Sequence, residues 1–430
     1  MKLSRISRIV AAMVATIALG LGMTACGTQT IGYMWVLGTF RNQISAFQID
    51  VNSGNLTTTF HSPFSSNGTN PVSIVVGPSG RFVYVVNAGS PAVGVPGTPG
   101  YVAPAGAGIA EFQVGGSGIL TYQQTFFSQG NSPIWAVTSG NFLYVLDRFA
   151  PDYNGTIDPN TNLPINASGS ITAFAIASDT GRLSLITNNQ NLNADGSGKA
   201  TNFFRVGDAP VMSQVGSSNC LYTLSKSSIF PLVIGTNGQL TTTTTGPFQV
   251  TGSGNATTNL TSINTGNGSA PYIYLTDAGN NQIVSLQGTQ TTCALAPITN
   301  SEFRNLPGTA NPVNSVTLQN GRFLYVINQS STANTQTVAN SSISAYQIIS
   351  GTGQLQILGD GANNPYPVGS GPVCLAIDPS NQYLYVTNNT DSTVTGRLIN
   401  QTTGTLSNLG RGSVFPVTMQ PTCLAISGSI

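Results

Sequence analysis

Gly371-Pro372-Val373-Cys374-Leu375-Ala376-Ile377-Asp378-Pro379, then Tyr383-Leu384-Tyr385-Val386-Thr387-Asn388-Asn389, then Ser392-Thr393-Val394, is the stretch that decides how this chain folds. An apolar run follows a proline, a polar turn interrupts it, and an aromatic-centred run ends in asparagine before a third run begins. Short runs rich in β-branched and aromatic residues, bounded by Pro, Gly, Asn and Asp, read as strands. The order recurs along the chain. It appears at Pro71, Tyr84, Asn87 and Phe112; at Pro133, Tyr144, Asp147 and Phe174; and at Pro312, Tyr325, Asn328 and Tyr346. A weaker copy has Pro210, Tyr222 and Gly238-Gln239-Leu240, and another keeps Tyr274-Leu275-Thr276-Asp277 without the proline. Third runs end near a Gly-x-Leu turn.

Counting the opening stretch, that makes six complete units, and a seventh is split across the termini. Trp35-Val36-Leu37 supplies its aromatic strand and Ile44-Ser45-Ala46-Phe47 its third strand, while Pro421-Thr422-Cys423-Leu424-Ala425-Ile426 mirrors 372–377 as its missing first strand. The aromatic anchors at positions 35, 84, 144, 222, 274, 325 and 385 are 49 to 78 residues apart. Blades of four short strands occupy about 40–50 residues, with loop insertions in the longer units. The chain is therefore expected to be all-β: one seven-bladed β-propeller of four-stranded blades over residues 33–430, closed in the first blade by the C-terminal strand. Six or eight blades are the runner-up, because residues 226–259 are poorly patterned, and a β-sandwich is a distant third.

The composition fits an exported chain. Charged residues make up 6%, against about 25% in an ordinary soluble domain, so Asn, Thr, Ser, Gln and Gly must carry the surface. Lys2, Arg5 and Arg8 precede an apolar stretch, 9–21, and Met23-Thr24-Ala25-Cys26-Gly27 resembles a lipobox. Residues 1–25 read as a lipoprotein signal peptide, Cys26 as the lipidated residue and 26–32 as a tether. The expected place is the cell envelope, anchored to a membrane and facing the periplasm or the exterior. Cleavage after Ala25 would remove three of 14 basic residues and none of 13 acidic ones, taking the net charge from +1 to −2. Nucleic-acid binding calls for a clustered basic face and is not expected. No CxxC is present and His61 is the one histidine, so neither a metal site nor a cofactor is expected. The state of Cys220 and Cys293 stays open. Cys374 and Cys423 occupy equivalent strands of adjacent blades in the same phase, so their side chains should point the same way around the ring and remain two buried thiols.

The blade motif resembles the lactonase family of seven-bladed propellers, which includes a type of 6-phosphogluconolactonase, over residues 33 to 426. The resemblance implies hydrolysis of a sugar lactone. Enzymatic members typically carry Arg-His after the Gly-Pro and Glu after the Asn; here Val373, Cys374 and Asn389 stand at those positions, and Pro71 is followed by Val72 instead of His. Opening a lactone needs a base for water and a positive group for the oxyanion, and these residues supply neither. Catalytic residues are thus unknown from the sequence, and whether the chain is an enzyme stays open.

Asn87, Asp147, Arg148, Asp277, Asn328 and Asn388 end the aromatic strands on the rim where the long loops 88–108, 148–169 and 329–341 emerge. They are the candidate ligand-binding ring at one mouth of the central channel, or else caps of strand ends. Asp152, Asn154, Thr156 and Asp158 alternate as in calcium loops, but Gly155 is misplaced and no Glu closes the loop. The favoured reading is a non-catalytic propeller that binds a glycan, a small ligand or an envelope protein. Lactone hydrolysis is the alternative, and a structural role in an outer-membrane assembly the third.

Overall fold

Strand formation follows the burial each run can achieve. In the computed structural model, which describes residues 29–91, 102, 105–151, 168–191, 198–217, 219–225, 227–243, 246–250, 259–266, 272–329, 341–359 and 363–428, seven antiparallel sheets succeed one another around a ring. Blade 2 shows the plan: Pro71–Val76 innermost, then Phe82–Ala88, Ala107–Val114 and Leu120–Phe126 outermost. Every residue of Phe82–Ala88 is buried, whereas Leu120–Phe126 is exposed over most of its length. Second strands are mostly apolar, up to the Asn or Asp near their ends, because both their faces meet neighbouring blades, and fourth strands are more polar because water reaches them.

The remaining second strands are Thr30–Gly38 (blade 1), Phe142–Phe149 (blade 3), Cys220–Leu224 (blade 4), Tyr272–Asp277 (blade 5), Phe323–Asn328 (blade 6) and Tyr383–Asn388 (blade 7). Residues 226–259, poorly patterned in sequence, supply the outer strands Ser228–Ile234 and Leu240–Thr242 of blade 4. A small hairpin, Asn188–Asn191 with Gly198–Thr201, is added beside blade 3.

The ring closes as the split repeat requires. Pro421–Gly428 pairs with Thr30–Gly38, placing Leu424 opposite Val36 and Ala425 opposite Trp35. One boundary needs correction. The first strand already begins at Thr30, which pairs with Asp50, and Val51 N–H donates to Gln29 O at 2.8 Å. The closing sheet thus takes in residues expected to belong to the tether.

Blades are joined by one repeated contact. Trp35 Nε1 donates to Gly118 O of blade 2 at 3.0 Å. The hydroxyls of Tyr84, Tyr144, Tyr274, Tyr325 and Tyr385 donate to the carbonyls of Gly181, Gly238, Gly353, Gly404 and Gly54 on the following blade, at 2.5–3.0 Å. Each glycine sits in the turn before a fourth strand with φ between 68° and 79°, a conformation that costs other residues about 1–2 kcal/mol. The ring two positions before each donor (Tyr33, Phe82, Phe142, Tyr272, Phe323 or Tyr383) lies flush on that glycine, where a Cβ would stand 2.3–2.5 Å from a ring carbon. Burial pushes the pKa of the tyrosine hydroxyls up, so they stay protonated donors.

The junction from blade 4 to blade 5 replaces this contact. Cys293 (φ 56°) occupies the turn position of the glycine, Cys220 stands two residues before Tyr222 where the ring would be, and the two form a disulfide with Cα atoms 5.5 Å apart. Ring on glycine has become sulfur on sulfur.

Cys374 and Cys423 correct the expectation of two free thiols, because they are also joined, with Cα atoms 5.1 Å apart. The register on which that expectation rested is right. The error lay in treating adjacent first strands as separate faces. At the narrow inner edge they run side by side, so equivalent residues meet laterally within disulfide range.

Removing one hydroxyl from the ring of latches should be costly. Tyr325→Phe leaves Gly404 O buried without its donor, and chemical denaturation should show a loss of about 1–3 kcal/mol with the ring still formed. An unchanged midpoint would mean that the latch is incidental.

Candidate functional site

The first strands line the central channel, and one position in them changes character from blade to blade. Ser73, Trp135, Ser262, Asn314, Cys374 and Cys423 occupy closely equivalent places around the ring. A cavity of about 330 Å3 is walled by Trp135, Met212, Gln214, Asn264, Asn314 and Gln319 together with the Cys374–Cys423 disulfide. Its walls come from the later residues of the first strands, and Gln319 lies in a turn between first and second strands. The cavity therefore belongs to the end of the channel opposite the rim from which a site was expected.

The amides of the cavity are oriented by the backbone. Asn264 Nδ2 donates to Ser315 O at 3.3 Å, and its Oδ1 accepts from Thr317 Oγ1. Asn314 Nδ2 donates to Val373 O at 3.4 Å, and its Oδ1 accepts from Ser315 N at 2.8 Å. Gln319 Oε1 accepts from Asn381 Nδ2 at 3.0 Å. The indole of Trp135 is partly buried and packs against three core clusters at once. Among the described lining residues none carries an ionisable side chain. Such walls offer hydrogen bonds in both directions and one aromatic face, which suits an uncharged hydroxylated molecule. An amide within a first strand, as at Gln214, Asn264 and Asn314, is the sequence signal that would have found these residues.

The six residues expected to form the rim do not come together. Five are fully or almost fully buried, and four of these clasp the crossover arriving from the preceding blade. Asn87 Nδ2 donates to Ser66 O at 3.1 Å. Asp147 Oδ1 accepts from Ser128 Oγ at 2.5 Å, and Oδ2 from Thr172 Oγ1 at 3.3 Å. Asp277 accepts from Asn259 N at 2.9 Å, Asn280 Nδ2 at 2.7 Å and Gln282 Nε2 at 3.2 Å. Asn328 Oδ1 accepts from Asn305 Nδ2 at 2.7 Å. Asn388 Nδ2 donates to Thr393 and Thr395 within its own blade and packs on the crossover residue Gly369. Arg148 alone is exposed, on the strand face opposite Asp147. Among the described residues Asp147, Arg148 and Asp277 share no hydrogen-bond partner, and none of the six lines the channel cavity. The long loops of that rim, and the alternating Asp152, Asn154, Thr156 and Asp158, lie wholly or largely outside the described residues.

The positions that set the chain apart from lactone-opening propellers have structural work. Asn389 Nδ2 donates to Pro421 O of the next blade at 2.9 Å, Cys374 is in its disulfide, and Val373 packs against a core cluster.

Residues 261–425 match the model of the family described as "Lactonase, 7-bladed beta-propeller", a span from the first strand of blade 5 to the closing strand of blade 1. The curated proteins contain no match. Among solved structures, the chain is similar to a Pseudomonas aeruginosa periplasmic gluconolactonase, with TM-score 0.66 and 14% identity over 94% of this chain and 100% of that one. A Bacteroides fragilis protein provisionally assigned as a 6-phosphogluconolactonase gives TM-score 0.65 and 17% identity over 93% and 99%. A Bacteroides uniformis protein with the same provisional assignment gives TM-score 0.65 and 15% identity over 93% and 100%. The chain thus resembles lactonase-type propellers in fold along its length, and in sequence over its later blades.

Burial sets the behaviour of Asp147. It pushes the carboxyl up to about 7 from an ordinary 3.8, against the pull of hydrogen bonds from Ser128, Gly130 and Thr172. The folded state then favours the protonated form, so the stability from this residue is full below about pH 4 and is lost as pH rises through about 7. The thermal midpoint should fall between about pH 5 and pH 8, and fall less in Asp147→Asn. Equal slopes for the two proteins would contradict a buried, protonated Asp147.

Proposed function

We propose that this propeller is an exported, lipid-anchored envelope protein that binds a small uncharged sugar or sugar lactone in its channel, without turning it over. The observation that carries this reading is the cavity in which Trp135 stands among Gln214, Asn264 and Asn314, with no ionisable side chain among its described walls. Amides paired with an aromatic face match the hydroxyls and the apolar face of a pyranose ring. A base to activate water and a cation for the developing oxyanion are what hydrolysis would require. A phosphorylated substrate would further want Arg or Lys beside its phosphate.

The second reading is lactone hydrolysis, and it is favoured by the family match over residues 261–425. The two separate in one experiment. Calorimetric titration with glucono-δ-lactone, beside a pH-stat assay, should show binding that weakens about tenfold or more in Trp135→Ala, with hydrolysis no faster than in buffer. Turnover that disappears in Gln214→Ala or Asn314→Ala would establish the hydrolase instead.

Anchoring is supported by Lys2, Arg5 and Arg8 ahead of the apolar stretch 9–21, and by the lipobox-like Met23-Thr24-Ala25-Cys26. The full-length chain should partition into the detergent phase of a Triton X-114 separation, and Cys26→Ser should move it to the aqueous phase. Aqueous partition of both would refute lipidation.

A further inference from the structure

The blades give a rule for one position in each third strand. The residue that pairs with the position just before the latch aromatic is large and apolar: Phe47, Phe112, Phe174, Leu232, Leu286 and Tyr346, all buried. In blade 7 the same position, opposite Leu384, is Arg397. The side chain is only 9% exposed. Its Nη2 donates to Pro367 O, and its Nε has no partner among the described residues. No carboxylate among the described residues forms an ion pair with it, and burial alone holds its pKa below the usual guanidinium range. A guanidinium in the place of a core aromatic is a costly replacement, because an unpaired buried charge is among the least favourable features a fold can carry.

Beside Arg397 lies a cavity of about 740 Å3 at the outer edge of blade 7. It opens where the outermost strand is interrupted between Leu406–Asn408 and Val414–Pro416, both of which pair with the third strand Thr393–Ile399. Thr395, Asn408 and Ser413 line it. Thr395 Oγ1 accepts from Asn388 Nδ2 at 2.9 Å and Gly369 N at 3.4 Å, and Ser413 Oγ from Leu409 N at 2.9 Å, so each hydroxyl keeps its proton to donate. Asp391, on the same wall, accepts from Ser370 N at 2.5 Å.

We propose that this cavity is a binding site for a small monovalent carboxylate bearing hydroxyl groups, a sugar acid by class, received by the Arg397 guanidinium. The two terminal amino groups, Nη1 and Nη2, form a planar edge that matches a carboxylate in two parallel hydrogen bonds. Thr395, Ser413 and Asn408 supply neutral contacts for hydroxyls. One cation with a carboxylate nearby fits a single negative charge, whereas a phosphate dianion would want further cations and would be repelled by Asp391. The site is at the outer edge of the ring and is independent of the channel reading.

The test uses the folded full chain and two substitutions. Arg397→Phe restores the residue type of the other blades, so it should fold with an unchanged or higher thermal midpoint. Arg397→Lys keeps the charge and removes the planar edge. Calorimetric titration with sodium gluconate and sodium glucuronate should show binding by the wild type, about tenfold or more weaker in both variants and unaffected by Trp135→Ala in the channel. Methyl glucoside should not compete with gluconate. Binding retained in Arg397→Phe, or gluconate and glucuronate both failing to bind the wild type, would overturn the site. Inorganic phosphate binding as tightly as gluconate would overturn the carboxylate assignment.

Discussion

A hydrogen bond from an aromatic side chain to a glycine carbonyl, repeated from blade boundary to blade boundary, is the constraint to which the rest of this structure answers. Six of the seven junctions use it, with Trp35 or a tyrosine as donor and a left-handed glycine as acceptor. Two separate requirements meet at one point: the turn must be tight enough to need glycine, and the next-but-one ring must lie where a Cβ would be. A single blade cannot bury its apolar faces alone. Its apolar second strand gains its burial from the neighbours that the latch holds in place. The seventh junction shows the constraint by exception, since losing both ring and glycine is accompanied by the gain of the Cys220–Cys293 bond.

Most of the architecture was legible in the sequence because repetition makes each unit vouch for the others. The proline, the aromatic anchor and the Gly-x-Leu turn recur, and the split seventh unit, with Trp35 opposite Ala425 at a separation of 390 residues, could be paired by likeness alone. What was not legible was how the pieces meet. The aromatic and the glycine were both visible, yet nothing in one blade's sequence says that they belong to adjacent blades. The Cys374–Cys423 pairing was misjudged for the same reason, because strand alternation describes directions within a sheet and not the convergence of sheets at an axis. The candidate site fared worse. Asn and Asp at strand ends are conspicuous in so uncharged a chain, but a rim position is also where an arriving crossover must be held, and that is how Asn87, Asp147, Asp277 and Asn328 are used.

In a repeat protein the informative residues are those that break the rule of their position. Trp135 and Asn314 stand where blades 2 and 5 have serine. Glu111 pairs with Tyr84 where the equivalent partners are Ala46, Ala173, Pro231, Ser285, Ala345 and Gly396, and burial raises its carboxyl pKa. Arg397 replaces a core aromatic. Each departure borders open volume: Trp135 and Asn314 the channel, Glu111 a cavity it lines with Phe82 and Arg182, and Arg397 the edge of blade 7.

The closing sheet also fixes an orientation. Thr30 begins the second strand of blade 1 beside Gly428, at the end of the blade where first and second strands connect; the channel cavity lies toward that same end. Three residues stand between Cys26 and Thr30, a reach of about 14 Å when extended. An acyl chain on Cys26 would therefore hold the ring with its cavity turned toward the bilayer, close enough that lipid headgroups form the opposite wall of its vestibule.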